Sequence, residues 1–244
     1  MDTNSKENAL GVILARGGSK GVPNKNILNL CGKPMIAYTI FDALRAKSLY
    51  RVVVSTDDEE IARIAGEFKG VQVIMRPPEY ANDTASIDLA LRHVVGEIGC
   101  QGDKINIVVA LYANVPLRRE GIIDEVVEKM ILTNADSVQT YTPYTTPPQW
   151  AHQIDGDKVS LLDMKYEFAY RRQLLVPAYH PDGAVLAVRY DTLIENIDLS
   201  DHSAFLGTDR RAIIQLPEDT VDIDQPIDIL WAEFLLKKIN KHTD

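Results

Sequence analysis

Between residues 10 and 140, short apolar runs alternate with longer segments whose apolar residues recur every three or four positions. That alternation constrains the fold more than any other feature of the chain. Residues 10–15 (Leu-Gly-Val-Ile-Leu-Ala), 51–56, 71–75, 105–111 and 135–140 read as strands, and 35–46, 59–68, 87–98 and 119–132 as helices. Pro34 suits the first turn of the helix at 35–46, with Ile36, Ile40, Ala43 and Leu44 on one side. Asp57 and Asp58 suit the capped start of the next, and Asp83 that of the helix at 87–98. Runs apolar throughout, such as 105–111, belong to strands covered on both faces. Strand and helix in regular succession build right-handed βαβ units. The expected fold is therefore α/β, a doubly wound, mostly parallel sheet that binds ligands at the carboxyl ends of its strands.

The rhythm breaks over residues 142–180. Pro143, Pro147 and Pro148 are followed by an irregular polar stretch with Trp150, His152, Arg171 and Arg172. This is too long for an ordinary βα connection and reads as an excursion from the sheet. Tyr141, Tyr144, Trp150, Tyr166, Phe168 and Tyr170 gather around it. Aromatic residues beside paired arginines suit an interface, so a homodimer is expected. Strands at 182–188 and 212–216 follow. A helix at 226–239 closes the chain, with Ile227, Leu230, Trp231, Phe234 and Leu235 expected on its buried face. Residues 1–244 are read as a single domain with the excursion inserted.

The chemistry concentrates just after the first strand. Gly17, Gly18 and Gly21 free the backbone to turn its N–H groups towards an anion, and Arg16, Lys20 and Lys25 add charge with no acid among them. A strand running into a basic glycine loop suits phosphate, and a solvated turn is the plain alternative. The loop is no Walker A motif, because the one Gly-Lys pair is followed by Pro34, and the dinucleotide fingerprint G-x-G-x-x-G is also absent. The chain as a whole is acidic, with a net charge of −9, which argues against nucleic acid or an anionic membrane as partner. Cys31 and Cys100 have neither redox nor metal spacing, and residues 1–8 lack a signal peptide's apolar core, so a reduced cytoplasm is expected.

The order Ala15-Arg-Gly-Gly-Ser-Lys-Gly21, then Pro23, Lys25 and Asn26, then Gly32-Lys-Pro-Met-Ile-Ala-Tyr-Thr-Ile40, closely resembles the opening of the cytidylyltransferases that activate sialic acid and related nonulosonic acids. The resemblance runs from about residue 10 to residue 238 and is weakest across the excursion. It implies a nucleotide-diphospho-sugar transferase fold, with the excursion serving dimerisation. It also implies a loop wrapped around the triphosphate of CTP. Arg16 and Lys25 would be its catalytic cations, Gly17, Gly18, Ser19 and Lys20 its cradle, and Asn26 would lie near the nucleotide. Arg76 and Ser86 resemble family positions that hold base and ribose, although a strand-ending turn and a helix start explain them equally well.

Asp222 and Asp224 alternate along an extended segment and therefore share one side. Two such carboxylates suit a hard Mg²⁺ ion, and they equally suit the start of the next helix. The pair resembles the Asp-x-Asp that the family carries before its final helix, which implies a Mg²⁺ cofactor. In the segment Leu111-Tyr-Ala-Asn-Val-Pro-Leu-Arg118, Tyr112 stands where sialic acid enzymes carry a sugar-contacting glutamine. Asn114 stands where related enzymes place a metal-binding aspartate, and it also suits a plain turn. Asp182 and Leu186 replace a family asparagine and tyrosine of the sugar site. Arg118, Arg171 and Arg172 are candidate partners for a sugar carboxylate. The resemblance implies transfer of a cytidylyl group from CTP to a sugar acid, with pyrophosphate released. A nucleotidyltransferase for another sugar or sugar phosphate, or a weakly catalytic nucleotide-sugar binder, is the alternative.

Overall fold

The computed structural model describes residues 7–82, 84–162, 171–198 and 200–240. Strand β1 (Ala9–Leu14) leads through a 3-10 turn (Lys25–Ile27) and a small hairpin, β2 (Asn29–Leu30) with β3 (Lys33–Pro34), to helix α1 (Met35–Arg45). Then follow β4 (Leu49–Thr56), α2 (Glu59–Gly66), β5 (Val71–Met75), α3 (Ile87–Gly99), β6 (Ile107–Tyr112), α4 (Ile122–Thr133) and β7 (Ser137–Pro143). The hairpin β8 (His152–Asp155) and β9 (Lys158–Leu161) precedes β10 (Tyr179–Arg189), α5 (Tyr190–Glu195), β11 (Arg210–Ile214) and α6 (Pro226–Asn240).

Among the described residues the main sheet runs β11-β7-β10-β6-β1-β4-β5. β1 lies parallel to both β4 and β6, while β10 alone runs antiparallel, between β6 and β7. The expected doubly wound, mostly parallel sheet is what forms. Its physical cause is the two-residue period of β1. Ala9 and Ile13 join the core under α1, α2 and α4, whereas Leu10, Val12 and Leu14 join the opposite core under α3 and α5. Because β4 and β6 leave β1 on opposite sides, their loops diverge and open a crevice at the carboxyl ends of β1 and β6.

Several expectations shift. The helix expected at 119–132 begins later, at Ile122, because Gly121 takes a left-handed conformation (φ 76°) just before it. The excursion is narrower than 142–180, since Thr142 and Pro143 pair with His180 and Tyr179 as the outer rungs of β7 and β10. Asp83, Tyr166, Phe168 and Tyr170 lie outside the described residues. The largest correction concerns α6. Ala232, Leu235 and Leu236 pack on Leu30, Met35 and Leu117, whereas Ile227, Leu230, Trp231 and Phe234 are 47–64% exposed.

Candidate active site

The crevice holds a cleft of about 290 Å³, lined by Arg16, Lys25 and Asn26 on one side and by Tyr112 and Asn114 on the other, with Arg76, Tyr80, Asn82 and Ser86 along its wall. β1 ends by handing its chain to the glycine loop, and Asp57 anchors that loop by accepting the Gly17 N–H at 3.0 Å. Asp57 is therefore a loop anchor and not the helix cap the sequence suggested. Its neighbour Asp58 does the capping, accepting from the Glu60 and Ile61 N–H groups. A side chain at Gly17 would fall within 3 Å of Asp58, so the loop closes here only with glycine. Gly18, Ser19 and Lys20 form the outer turn and do not line the cleft.

Asn26 is buried, and its amide nitrogen donates to the Arg16 carbonyl at 2.8 Å, which fixes the first bend of the loop. Its Oδ1 has no partner. A buried acceptor left unpaired costs about 1–3 kcal/mol, so the cleft is prepared for a ligand that donates a hydrogen bond. Arg16 reaches the Asn82 carbonyl at 3.4 Å across the cleft. Ser86 stands at the N-terminal boundary of α3, and its hydroxyl makes no cap bond. Arg76 is buried against Ser55 and Tyr80, and that burial holds its pKa below the usual arginine value.

The opposite wall is stitched from two segments. The Ile223 N–H donates to the Asn114 carbonyl at 3.0 Å, and Leu117 bridges Val221. The Asn114 amide nitrogen donates to Asp222 Oδ1 at 2.5 Å and to the Ile223 carbonyl at 3.3 Å. Asn114 thus holds an aspartate and turns its donor, not its oxygen, towards the acidic pair. Asp224 accepts from Lys25 Nζ at 2.8 Å. The start of α6 is capped by Asp228, which accepts from the Asp224 and Gln225 N–H groups. Neither Asp222 nor Asp224 is spent on that cap. Although part of Asp222 remains open to solvent, desolvation of its carboxylate, reinforced by the Asp224 charge, pushes its pKa up to about 6. Burial, with Asp222 beside it, likewise raises the Tyr112 hydroxyl to about 12.

Four residues expected at the sugar site are elsewhere. The Arg118 guanidinium is fully enclosed and donates to the carbonyls of Tyr112, Val115 and Ala184 and to the Thr39 hydroxyl. It clamps the cleft wall from behind, with four of its five N–H donors spent on the protein and the side chain closed off from the cleft. Asp182 is buried, accepting from Thr140, the Ala184 N–H and Gln215. Leu186 packs in the core beneath α3 and α5. Arg172 is exposed in a short 3-10 turn and is not part of the cleft lining. A structural Arg118 makes a definite prediction. Arg118→Met strands three carbonyls and is expected to cost about 3 kcal/mol, or roughly 6–12 °C in Tm by calorimetry. An unchanged Tm with a raised KM for the sugar would restore the substrate role.

Among the described residues no cluster of three or more His, Cys, Asp or Glu side chains is placed to hold a metal, so any cation here would rest on the aspartate pair and on ligand oxygens. A family model described as cytidylyltransferase matches residues 10–193. The chain belongs to the cytidylyltransferase family. It is a nucleotidyltransferase by that membership. The pseudaminic acid cytidylyltransferase of Campylobacter jejuni (strain 81-176) is 32% identical over 231 residues, covering 93% of this chain and 96% of the relative. The N-acylneuraminate cytidylyltransferase of Escherichia coli O18:K1:H7 is 31% identical over 95% of this chain, which spans about half of that relative's length (53%). A solved CMP:2-keto-3-deoxy-manno-octonic acid synthetase in complex with CTP shares the fold, with a TM-score of 0.72 at 20% identity, covering 95% of this chain and 99% of that one.

Tyr80 and Asn82 escaped the reading of the sequence, as did the loop-anchoring role of Asp57. Their one available signal is position, since each closely follows the carboxyl end of a sheet strand, where ligands of such folds sit.

Proposed function

We propose that this cytidylyltransferase moves CMP from CTP to a nonulosonic sugar acid and releases pyrophosphate. The observation that carries the reading is a cleft lined by Arg16, Lys25 and Asn26 of the basic loop, at whose edge Asn114 and Lys25 hold the aspartate pair Asp222 and Asp224. An anomeric hydroxyl oxygen attacks the α-phosphorus, the bond to the bridging oxygen breaks, and pyrophosphate leaves with the electron pair while the hydroxyl proton is lost. Arg16 and Lys25 balance the charge gathered on the phosphate oxygens, and that neutralisation is the main catalytic contribution. The Asn26 Oδ1 accepts a donor from the nucleotide, and Arg76 and Ser86 flank its base and ribose.

The donor set fits Mg²⁺: two carboxylates, no sulfur or nitrogen ligand, and a mutual repulsion that a cation would relieve. Asp222 and Asp224 would hold it, with Asn114 steadying Asp222. Once bound, it would neutralise phosphate charge beside the two side-chain cations. Protons compete for the same carboxylate. Because the Asp222 pKa lies above the usual aspartate value, affinity for Mg²⁺ is expected to fall about tenfold per pH unit below about 6, as read by calorimetry.

For the acceptor, Tyr112 is the departure from the sialic acid pattern that stays in the cleft. A relative named for pseudaminic acid matches over nearly its whole length. Pseudaminic acid is expected to exceed N-acetylneuraminate in kcat/KM by about tenfold or more. Steady-state pyrophosphate release tests the reading, first with CTP, UTP, GTP and ATP, then with both acids. A purine preference, or equal turnover of the two acids, would count against it. We further propose a homodimer in a reduced cytoplasm. Ile154, Val159, Leu162, Leu174 and Val176 stand exposed on the excursion, and both cysteines are unpaired. Light scattering at micromolar concentration should give twice the chain mass, and a monomer would refute the dimer.

A further inference from the structure

Lys25 and Asp224 have opposite assignments in the proposed reaction, one to the triphosphate and one to the divalent cation, yet they hold each other. Lys25 Nζ donates to Asp224 Oδ1 at 2.8 Å and to the Ile223 carbonyl at 3.0 Å. The lysine side chain is only 16% exposed, whereas that of Asp224 is 70% exposed. An ammonium has three donors, so two of the three are spent on the protein. Loop and acidic segment are pressed together, since a Cβ on Gly21 would lie 2.2 Å from the Asp224 carbonyl oxygen. A lysine side chain has the rotatable bonds to swing from carboxylate to phosphate without any movement of that backbone.

We infer that Lys25 and Asp224 are placeholders for each other's ligands, so that the triphosphate and the divalent cation each release the residue the other one needs. This rests on the proposed assignment of the two residues and adds a coupling between their ligands. A triphosphate that captures Lys25 leaves Asp224 without its counter-charge, and so raises its attraction for a cation. A cation on Asp224 frees Lys25 for phosphate. Linkage requires the two effects to be equal.

The test is a double-mutant cycle read by calorimetry of CTP binding in EDTA. Asp224→Asn is expected to tighten metal-free CTP binding about fivefold, the worth of a partly shielded ion pair. In the Lys25→Met background the same substitution should change affinity less than twofold, because no lysine remains to be released. Equal tightening in both backgrounds would mean simple charge repulsion by Asp224 and would overturn the inference. So would the absence of any tightening. Failure of the wild-type protein to bind CTP even with Mg²⁺ is a different result. It would overturn the nucleotide reading itself, and the inference with it.

Discussion

Asp224→Asn is expected to lower Mg²⁺-dependent turnover by about a thousandfold while leaving CTP binding measurable. A cation's charge stabilisation of the transferring phosphate is worth several kcal/mol, and each ~1.4 kcal/mol is a factor of ten in rate. The geometry makes Asp224 the more sensitive of the pair. It faces solvent, it accepts no cap bond, and among the described residues its side chain is held by a lysine assigned above to the triphosphate. Asp222→Asn should cost less, about ten- to a hundredfold, because an amide oxygen can still accept the bond from Asn114. The two variants should unfold near the wild-type temperature, since Asp228 supplies the cap of α6. Equal, mild losses of rate joined to lower melting temperatures would assign the pair to the helix instead.

Arg16→Ala is expected to cut kcat about a hundredfold, since loss of one preorganised charge contact costs about 3 kcal/mol. Arg16 contributes no side chain to the core, so the loss of Tm should be small beside the loss of rate. Its charge also lies close enough to depress the Arg76 pKa, behind the larger effect of burial. The alanine variant should therefore lose rate without losing structure. Kinetics near the wild-type values would show that the loop serves something other than the triphosphate.

Where one periodicity dominates, the sequence was a sufficient guide. β5 matches its expected span, and α1 and α3 each lie within a residue of theirs, because their apolar spacing admits one reading. α6 shows the opposite case. Apolar residues lie on nearly every side of it, so spacing cannot tell which stripe is inward. Packing on Leu30, Met35 and Leu117 chooses Ala232, Leu235 and Leu236. The candidate site divides in the same way. The glycine loop and the Asp-x-Asp segment are local patterns and were legible, and the structure brings Arg16, Lys25, Asn26 and Asn114 to one cleft. Arg118 and Asp182 were misassigned because polarity in a motif suggests a ligand. Only the tertiary fold reveals that their partners are Thr39, Ala184, Thr140 and Gln215. Asp57 was legible only in part, since whether an aspartate after a strand caps a helix or holds a loop depends on where the loop folds back.

The central claim is that one cleft joins CTP to a nonulosonic acid. Phosphorus NMR of the full chain with CTP, Mg²⁺ and pseudaminic acid tests it most directly. The expected spectrum shows pyrophosphate and a new CMP phosphodiester growing in equal amounts, and neither forming when CTP, acid or Mg²⁺ is left out. Pyrophosphate without the diester, or no reaction with any nonulosonic acid alongside turnover of a sugar phosphate, would contradict the account.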